Sequence, residues 1–428
     1  MVRAFSYSLV KYCIVVALFL CLASAQDTPM GGMQMDEHGA VMQLPSSHAG
    51  SGTAWEPASV PEHSWMLMRG GWELMAHGVI FADYNQQGGP RGGGAKAESV
   101  NVGMLMEQHS LGHGTILFRQ MLSAESLTSP HPGFPELFQT GETYHGQGLV
   151  DHQHPHNVFG ELSALYLLPL STKISWELYG GPSAEPALGP VTYIHRTSAS
   201  ELPLAPLAHH LQDSTHTSFG VVTTGFVIER VKLEASAFNG REPNEERWSI
   251  QVAPLDSWSG RASVAPARDW TAQYSVGRLE HPEALEPGSQ WRQTASVEYD
   301  HPLAAGNWAT SLVWGRVHKI ATGANLNGYL MESTLNFLQR DYAFTRLELV
   351  DKDELFPLAA VHPAYRIGAY TFGGVRDLVQ NRAWLLGLGA DVTLYSKPAV
   401  LDAAYGNHPV SFQIFLRMRP GRAKEHLQ

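Results

Sequence analysis

The sequence predicts an all-β fold, an antiparallel transmembrane β-barrel of 14 to 16 strands with a disordered N-terminal leader. The composition combines 41 Gly, 16 Phe, 15 Tyr and 11 Trp with only 16% charged residues. After the N-terminal export signal, no segment reaches the run of about 18 apolar residues that a transmembrane helix requires. Segments of about ten residues alternate apolar and polar side chains between connections that are alternately short and long, which is the pattern of transmembrane β-barrels.

Residues 1–25 are predicted to be a secretory signal peptide. Arg3 and Lys11 give this segment a positive start, an apolar run follows, and residues 23–25 (Ala-Ser-Ala) form a cleavage pattern. The two cysteines, Cys13 and Cys21, both lie inside the signal. The mature chain is therefore predicted to have no disulfide and no thiolate metal site.

Residues 26–64 are predicted to be a disordered periplasmic leader, since their hydrophobicity is low. This leader carries methionine and histidine at close spacing, namely Met30, Met33, Met35 and His38. Thioether sulfurs suit a soft cation, Cu(I) above all, and imidazole also suits Cu(II). The leader is thus a candidate copper-binding segment, and a disordered segment without a metal role is the alternative.

The barrel is predicted over residues 65–421, followed by a short tail at 422–428. Its strand-like segments are Gly71–Tyr84, Ser99–His109, Thr115–Ser123, Val158–Leu168, Lys173–Tyr179, Ser218–Glu229, Val231–Asn239, Ser257–Val264, Trp270–Arg278, Trp291–Tyr299, Asn307–Lys319, Gly328–Gln339, Tyr342–Val350, Tyr365–Phe372, Ala383–Tyr395 and Val410–Met418. An even strand number is expected of a bacterial barrel made from one chain.

The strand segments separate apolar from polar side chains by their period of two. In Trp291–Tyr299, the side chains of Trp291 and Val297 lie on one face, and those of Arg292 and Glu298 lie on the other. Burial of such charges in a dry core would cost several kcal/mol unless they were paired, whereas a polar lumen tolerates them. A soluble β-sandwich, the competing fold, would need a second packed sheet.

A histidine-rich stretch at 151–157 lies just before an apolar segment. Its candidate metal ligands are Asp151, His152, His154 and His156. In extended backbone the three histidines would share one side, and Pro155 places them at a strand's entrance or in a loop. The residue types suit Zn(II), Cu(II) or Ni(II). A structural network of histidines, hydrogen-bonded to backbone and lumen residues, is the alternative.

A second histidine-rich stretch precedes a later apolar segment. Its candidate metal ligands are His209, His210, Asp213 and His216. They would complete a metal site with the first stretch if their loop folded inward, and a loop that docks on the barrel rim is the alternative. Metal affinity would fall as the pH drops through the histidine range near 6.5, because protonated imidazole cannot coordinate a metal ion.

Several separated motifs carry a resemblance to a known family. They are Asp151–Asn157, Gly189–His195, His209–His216 with the following Phe219-Gly-Val-Val, and Phe412–Pro420. On these motifs the chain resembles, from about Ser64 to Gly421, a family of largely uncharacterised bacterial outer-membrane β-barrel proteins. The leader ahead of a barrel is more distantly similar to the copper-resistance B proteins of the outer membrane. The first resemblance implies the fold and the location, and the second implies a link to copper.

Together these features predict an outer-membrane protein that binds or passes copper or another divalent transition-metal ion. A general or substrate-selective solute channel with structural histidine loops is the alternative. An esterase or phospholipase that uses Asp213, Ser214 and His216 is a minor alternative. These three residues lie within four positions of the chain and so lack the independent geometry of a catalytic triad. No enzyme activity is expected.

The expected partners are outer-membrane lipid, the barrel-assembly machinery, and a metal ion or small solute. Removal of Arg3 and Lys11 with the signal changes the net charge from −11 to −13. An acidic, exported chain is a poor candidate for nucleic-acid binding, so no nucleic-acid partner is expected.

Overall fold

The structure, a computed structural model, describes residues 48–286, 288–359 and 361–421. Its strands are β1 (Ser64–Arg69), β2 (Trp72–Gln86), β3 (Ala95–Glu98), β4 (Asn101–Leu111), β5 (Gly114–Leu122), β6 (Phe134–Pro135), β7 (Glu142–Tyr144), β8 (Gln147–Leu149), β9 (His152–Gln153), β10 (Phe159–Pro169), β11 (Ile174–Ser183), β12 (Val221–Ile228), β13 (Val231–Phe238), β14 (Ser257–Ala267), β15 (Trp270–Leu279), β16 (Gln290–Leu303), β17 (Gly306–Lys319), β18 (Asn325–Phe337), β19 (Asp341–Lys352), β20 (Tyr365–Gln380), β21 (Trp384–Ser396) and β22 (Val410–Pro420).

The helical elements are single turns. One-turn α-helices span Glu125–Thr128, His209–Gln212 and Asp402–Tyr405, and 3-10 turns span Thr197–Ala199, Ser214–His216 and Ala399–Leu401. In the part of the chain that the structure describes, no helix is both long and apolar enough to cross a membrane. The predicted signal peptide, the predicted leader up to residue 47 and the predicted tail lie outside the described residues.

Sixteen strands close into one antiparallel barrel: β2, β4, β5 and β10 to β22. Strand β2 closes the ring, because β4 pairs with its residues 73–80 on one side and β22 pairs with its residues 80–86 on the other. The short strands β1 and β3 pair with the remaining parts of β2. Each barrel strand thus has two neighbours, as lipid requires of any backbone that crosses it. The predicted barrel of 14 to 16 strands is confirmed.

The barrel wall is polar inside and apolar outside. In β16, Arg292 and Glu298 are buried on the inner face, whereas Val297 on the outer face is 40% exposed. The same alternation runs through β22, where Arg417 points inward and Ile414 outward. The predicted assignment of faces in these two strands is confirmed, and an apolar outer surface of this kind matches the acyl chains of a membrane.

Short and long connections alternate around the barrel. At one end the strands are joined by tight turns, such as Glu229 and Arg230 between β12 and β13. At the other end lie the long connections, of which residues 123–158 and residues 184–220 are the largest. We call these the first and the second lumenal loop, because both fold into the barrel.

Three segments fill the lumen. The second lumenal loop packs its helix His209–Gln212 against β16, β17 and β18. Side chains of both loops form a hydrophobic cluster with the inner wall, in which Phe138 and Leu211 meet Val317 and Ile367. Residues 48–63, the N-terminal lumenal segment, lie beside the second loop, where the Ser51 hydroxyl bonds the backbone and side chain of Thr192.

The N-terminal lumenal segment differs from the sequence expectation, which placed residues up to 64 in a disordered leader. Basic side chains of the wall hold it in place. Arg119 and Lys232 donate to the carbonyl oxygens of Gly52 and Thr53, and Arg261 donates to the Thr53 hydroxyl at 2.8 Å. Low hydrophobicity predicted disorder here, but the wall supplies partners that a composition argument does not include.

The outward face of β17 provides a test of the membrane-facing surface. Leu312 lies at the middle of this strand and is 54% exposed on the outer wall. We expect Leu312→Arg to lower the free energy of unfolding by about 2–4 kcal/mol, the cost of a cationic side chain at the bilayer midplane. Denaturant titration in lipid vesicles measures this change.

A loop variant is the control for this measurement. Val252→Arg adds the same charge at a loop position that is 93% exposed, and its effect should stay within about 0.5 kcal/mol. Equal effects of the two substitutions would contradict a lipid-facing position for Leu312.

Candidate functional site

The two lumenal loops bring five histidines together inside the barrel. The first loop contributes His154 and His156, and the second contributes His209, His210 and His216. The ring centroids are 6.3 Å apart for His154 and His210, 5.2 Å for His156 and His216, and 5.0 Å for His209 and His216. The two histidine-rich stretches that the sequence placed about 50 residues apart therefore form one cluster, the histidine cluster.

Local sequence explains how each loop presents its histidines. Strand β9 ends at Gln153, ahead of Pro155, which has no N–H for a strand ladder. In the second loop, the one-turn helix approaches the wall closely over Gly315. A Cβ on this glycine would lie 2.1 Å from the carbonyl oxygen of Leu211. Glycine on the wall thus makes room for the helix that carries His209 and His210.

Asp151 and His152 do not join the histidine cluster. The Asp151 carboxylate accepts the backbone N–H of Phe138 at 2.8 Å and lies 3.2 Å from the Arg91 guanidinium. The Nδ1 atom of His152 lies 3.0 Å from the carbonyl oxygen of Val150. Both residues thus help to fix the path of the first lumenal loop outside the cluster, and their role as metal ligands stays a prediction.

Carboxylates hold three rings of the histidine cluster. Glu125 lies 2.8 Å from Nδ1 of His156, Glu142 lies 2.7 Å from Nε2 of His154, and Asp213 lies 2.6 Å from Nδ1 of His209. Asp213 follows His209 by four residues, a spacing the sequence shows directly. Glu125 and Glu142 were not predicted, because neither lies within a histidine-rich stretch and only the path of the first loop brings them close.

Asp213 connects the cluster to the barrel wall rather than presenting a free ligand. Its carboxylate accepts the backbone N–H of Tyr193 at 3.0 Å and pairs with Arg196 at 3.1 Å. Arg196 in turn donates to Glu332 of β18 at 2.9 Å, and all these charged groups are buried. Burial acts to raise the pKa of Asp213, but His209 and Arg196 outweigh it and hold the pKa below its usual range.

Burial sets the protonation of most rings. It lowers the pKa of His154 and of His210 to about 4, and it lowers the pKa of His216 well below its ordinary value. His156 is the exception, since the charge and hydrogen bond of Glu125 outweigh burial and raise its pKa. At neutral pH, His154, His210 and His216 are therefore neutral and have a lone pair available on one ring nitrogen.

Two groups of ligand atoms in the described residues are close enough to share a metal ion. Glu142, His154 and His210 bring their ligand atoms within 4.8 Å of one another, and a second group consists of Glu286, Asp353 and Glu354. In the second group the Lys319 ammonium already lies 2.6, 2.8 and 3.8 Å from the three carboxylates. The leader residues Met30, Met33, Met35 and His38 lie outside the described residues, and their metal role stays a prediction.

The residues of the minor hydrolase alternative face different partners. The hydroxyl of Ser214 accepts from Arg292, and Nδ1 of His216 lies 3.0 Å from the backbone carbonyl of Asp213. A nucleophile requires a base within hydrogen-bond reach that a third group orients. These contacts do not form that arrangement, and the absence of enzyme activity stays a prediction.

Comparisons with known proteins find structures with a similar barrel but no protein with a similar sequence. No family model matches the chain, and no curated protein sequence matches it. OmpF of Salmonella typhi, solved in complex with daunomycin, superposes with a TM-score of 0.51 at 8% identity, over 83% of this chain and 100% of that one. An anion-selective porin from Comamonas acidovorans gives a TM-score of 0.49 at 9% identity, over 81% and 99% of the two chains.

The likeness to the Salmonella typhi protein concerns the fold alone. Together with the apolar outer wall and the closed ring of strands, it shows a transmembrane β-barrel of the kind found in bacterial outer membranes. The similarity to copper-resistance B proteins stays a prediction.

The lowered pKa values of His154 and His210 can be measured directly. In metal-free protein, we expect NMR spectra of the folded chain to show both rings still neutral at pH 5.5, with midpoints near 4. Unfolded histidines bind protons below about 6.5, so folding stability should fall as the pH drops from 6.5 toward 4, by up to about 1.4 kcal/mol per ring per pH unit.

Assignment of the two rings comes from the single variants His154→Gln and His210→Gln, and urea-unfolded protein is the reference. Titration midpoints near 6.5 in the folded chain would show that the two rings are solvated, which would contradict their burial in the histidine cluster.

Proposed function

We propose that the protein is an outer-membrane channel for small polar solutes, held closed by the two lumenal loops. The observation that carries the proposal is the pairing of a charged inner wall with loops that occupy the lumen. A barrel of 16 strands encloses more space than its own inward side chains fill, and barrels of this size leave an aqueous channel. Here polar loops, joined to the wall at both ends, take up that space.

Polar contacts join the loops to the wall in addition to the hydrophobic cluster. Arg417 of β22 pairs with Glu201 of the second loop and with Asp377 of β20. Arg346 of β19 donates to Glu332 and also to the carbonyl oxygen of Leu204 in the second loop. The strands pair with one another independently of the loops, so movement of the loops would leave the wall intact.

A small cavity between the loops and strands β19 to β22 marks where a solute would pass once the loops move. The loops contribute Glu136 and Leu207 to its lining, and the wall contributes Arg346, Glu348 and Asp391. Charges of both signs line this space, which favours a solute with both hydrogen-bond donors and acceptors over an apolar one.

The copper-linked role expected from the sequence is a narrower proposal. Its support in the described residues is the histidine cluster, and the methionine-bearing leader adds a prediction from sequence. Binding of a metal ion by the loops and passage of a solute past them are compatible, because the cavity along β19 to β22 and the histidine cluster are lined by different residues.

Removal of the second lumenal loop tests the channel proposal. Ala184 and Ser218 pair as an isolated bridge, so residues 186–216 can be replaced by two glycines without changing the ends of β11 and β12. In planar lipid bilayers we expect at least about a tenfold rise in mean conductance, because an aqueous path replaces the loop. A deletion variant that folds but stays non-conducting would contradict the proposal.

A reversible crosslink tests whether the loop must move. The hydroxyls of Ser198 in the second loop and Ser311 in β17 are 2.7 Å apart, and the mature chain is predicted to lack cysteine. The double variant Ser198→Cys/Ser311→Cys should form a disulfide that reduces the frequency of channel openings at least about tenfold, with recovery on reduction.

The matched control is Thr223→Cys/Ser236→Cys, whose hydroxyls are also 2.7 Å apart but join the neighbouring strands β12 and β13. Openings that persist equally in both oxidised variants would show that the second loop is not the gate.

A further inference from the structure

The hydrogen bonds of His154 leave one of its ring nitrogens facing a carboxylate. Nδ1 lies 3.0 Å from the carbonyl oxygen of Pro155, which can only accept, so Nδ1 carries the proton of the neutral ring. Nε2 lies 2.7 Å from Oε1 of Glu142. With the ring neutral, two acceptor atoms face each other at this distance, an arrangement that a metal ion beside them would stabilise. An N–H to a backbone carbonyl is also the usual outer contact of a metal-binding histidine.

His210 is a buried side chain whose ring nitrogens have no hydrogen-bond partner among the described residues. It is 8% exposed, and neither Nδ1 nor Nε2 has a hydrogen-bond partner in the part of the chain that the structure describes. The contact between Nδ1 and Glu242 is 3.6 Å, too long for a hydrogen bond. A buried polar atom without a partner typically costs about 1–3 kcal/mol. A bound ion would supply the missing contact.

Gly141 lets the backbone that carries Glu142 approach the His210 ring. Its φ angle is +114°, and a Cβ at this position would lie 2.6 Å from ring atoms of His210. The glycine therefore allows the first loop to place a carboxylate beside a ring of the second loop. A side chain at this position would separate the two groups.

Charges of both signs surround the three residues. Glu242 and Glu283 share the Arg292 guanidinium, at 3.4 and 3.1 Å, while Arg247 lies 3.9 Å from Glu142. The buried Lys352 ammonium adds a further positive charge near His210. Glu142 is therefore the carboxylate best placed to bind a cation, because Glu242 and Glu283 already pair with Arg292.

We infer that Glu142, His154 and His210 form a binding site for one divalent transition-metal ion, Zn(II) or Cu(II), which joins the two lumenal loops. Two imidazoles and a carboxylate suit these ions, whereas soft Cu(I) prefers sulfur ligands. Metal–ligand bonds of about 2.0–2.2 Å in a tetrahedral site place ligand atoms about 3.3–3.5 Å apart. The present separations, at most 4.8 Å, require only small side-chain rotations.

The site offers three protein ligands, so a fourth position is open to water or to a small ligand. The inference is independent of the channel proposal, because ion binding can be measured whether or not the barrel conducts. The position of the ligands on two separate loops implies that the ion restrains both.

Zn(II) titration of the chelator-treated, folded mature chain in detergent is the test. We expect wild type to have one high-affinity equivalent, which is weakened at least about 100-fold in His154→Ala and in His210→Ala. Glu142→Gln should weaken Zn(II) binding as well. Because glutamine is nearly isosteric with glutamate, this variant should fold, so weakened binding would not reflect loss of folding. His152→Ala is the matched control, since His152 lies in the same loop outside the cluster, and it should bind like wild type.

Two structural measurements accompany the titration. X-ray absorption at the zinc edge should show two imidazole nitrogens and one carboxylate oxygen in the wild-type site. Zn(II) should also slow hydrogen exchange at residues 139–156 and 206–213 in wild type and not in His210→Ala.

Three results would overturn the inference. They are no high-affinity equivalent in wild type, full retention of that equivalent in His154→Ala/His210→Ala, and equal weakening by His152→Ala.

Discussion

The buried Arg196 guanidinium connects the second lumenal loop to the barrel wall, and the placement of the histidine cluster depends on this connection. It pairs with Asp213 of the same loop and with Glu332 of β18. If either carboxylate were missing, a charge would stay buried without compensation, which is strongly destabilising. Because Asp213 also holds His209, the position of the helix that carries His209 and His210 follows from these pairs.

Because side chains alternate along each strand, charged groups line the inner wall, and these groups need polar partners in the lumen. A wall with charged inner side chains must either face water or find polar partners, since an unpaired buried charge costs too much. The lumenal loops and residues 48–63 supply those partners through carbonyls, hydroxyls and carboxylates. The N-terminal segment illustrates the principle, because Arg119, Lys232 and Arg261 all donate to it. Polar contacts thus help to hold all three segments inside the barrel.

The loops thus combine two properties that bear on function. They close the space through which a solute would move, and they carry the imidazoles and carboxylates that suit a metal ion. An ion held by both loops would favour the closed arrangement, because it adds a contact that exists only when His154 and His210 are close. If both proposals hold, the geometry of the loops links occupation of the metal site to passage through the lumen.

The sequence by itself determined the barrel, the two faces of its strands and the identity of the histidines, because a period of two is local and the membrane requires every strand to be paired. Only the tertiary structure decided which histidines meet, that Glu125 and Glu142 hold two of them, and that Asp151 and His152 do not join them. Loops have no periodicity, and their path depends on contacts with distant residues of the wall, which no local pattern encodes.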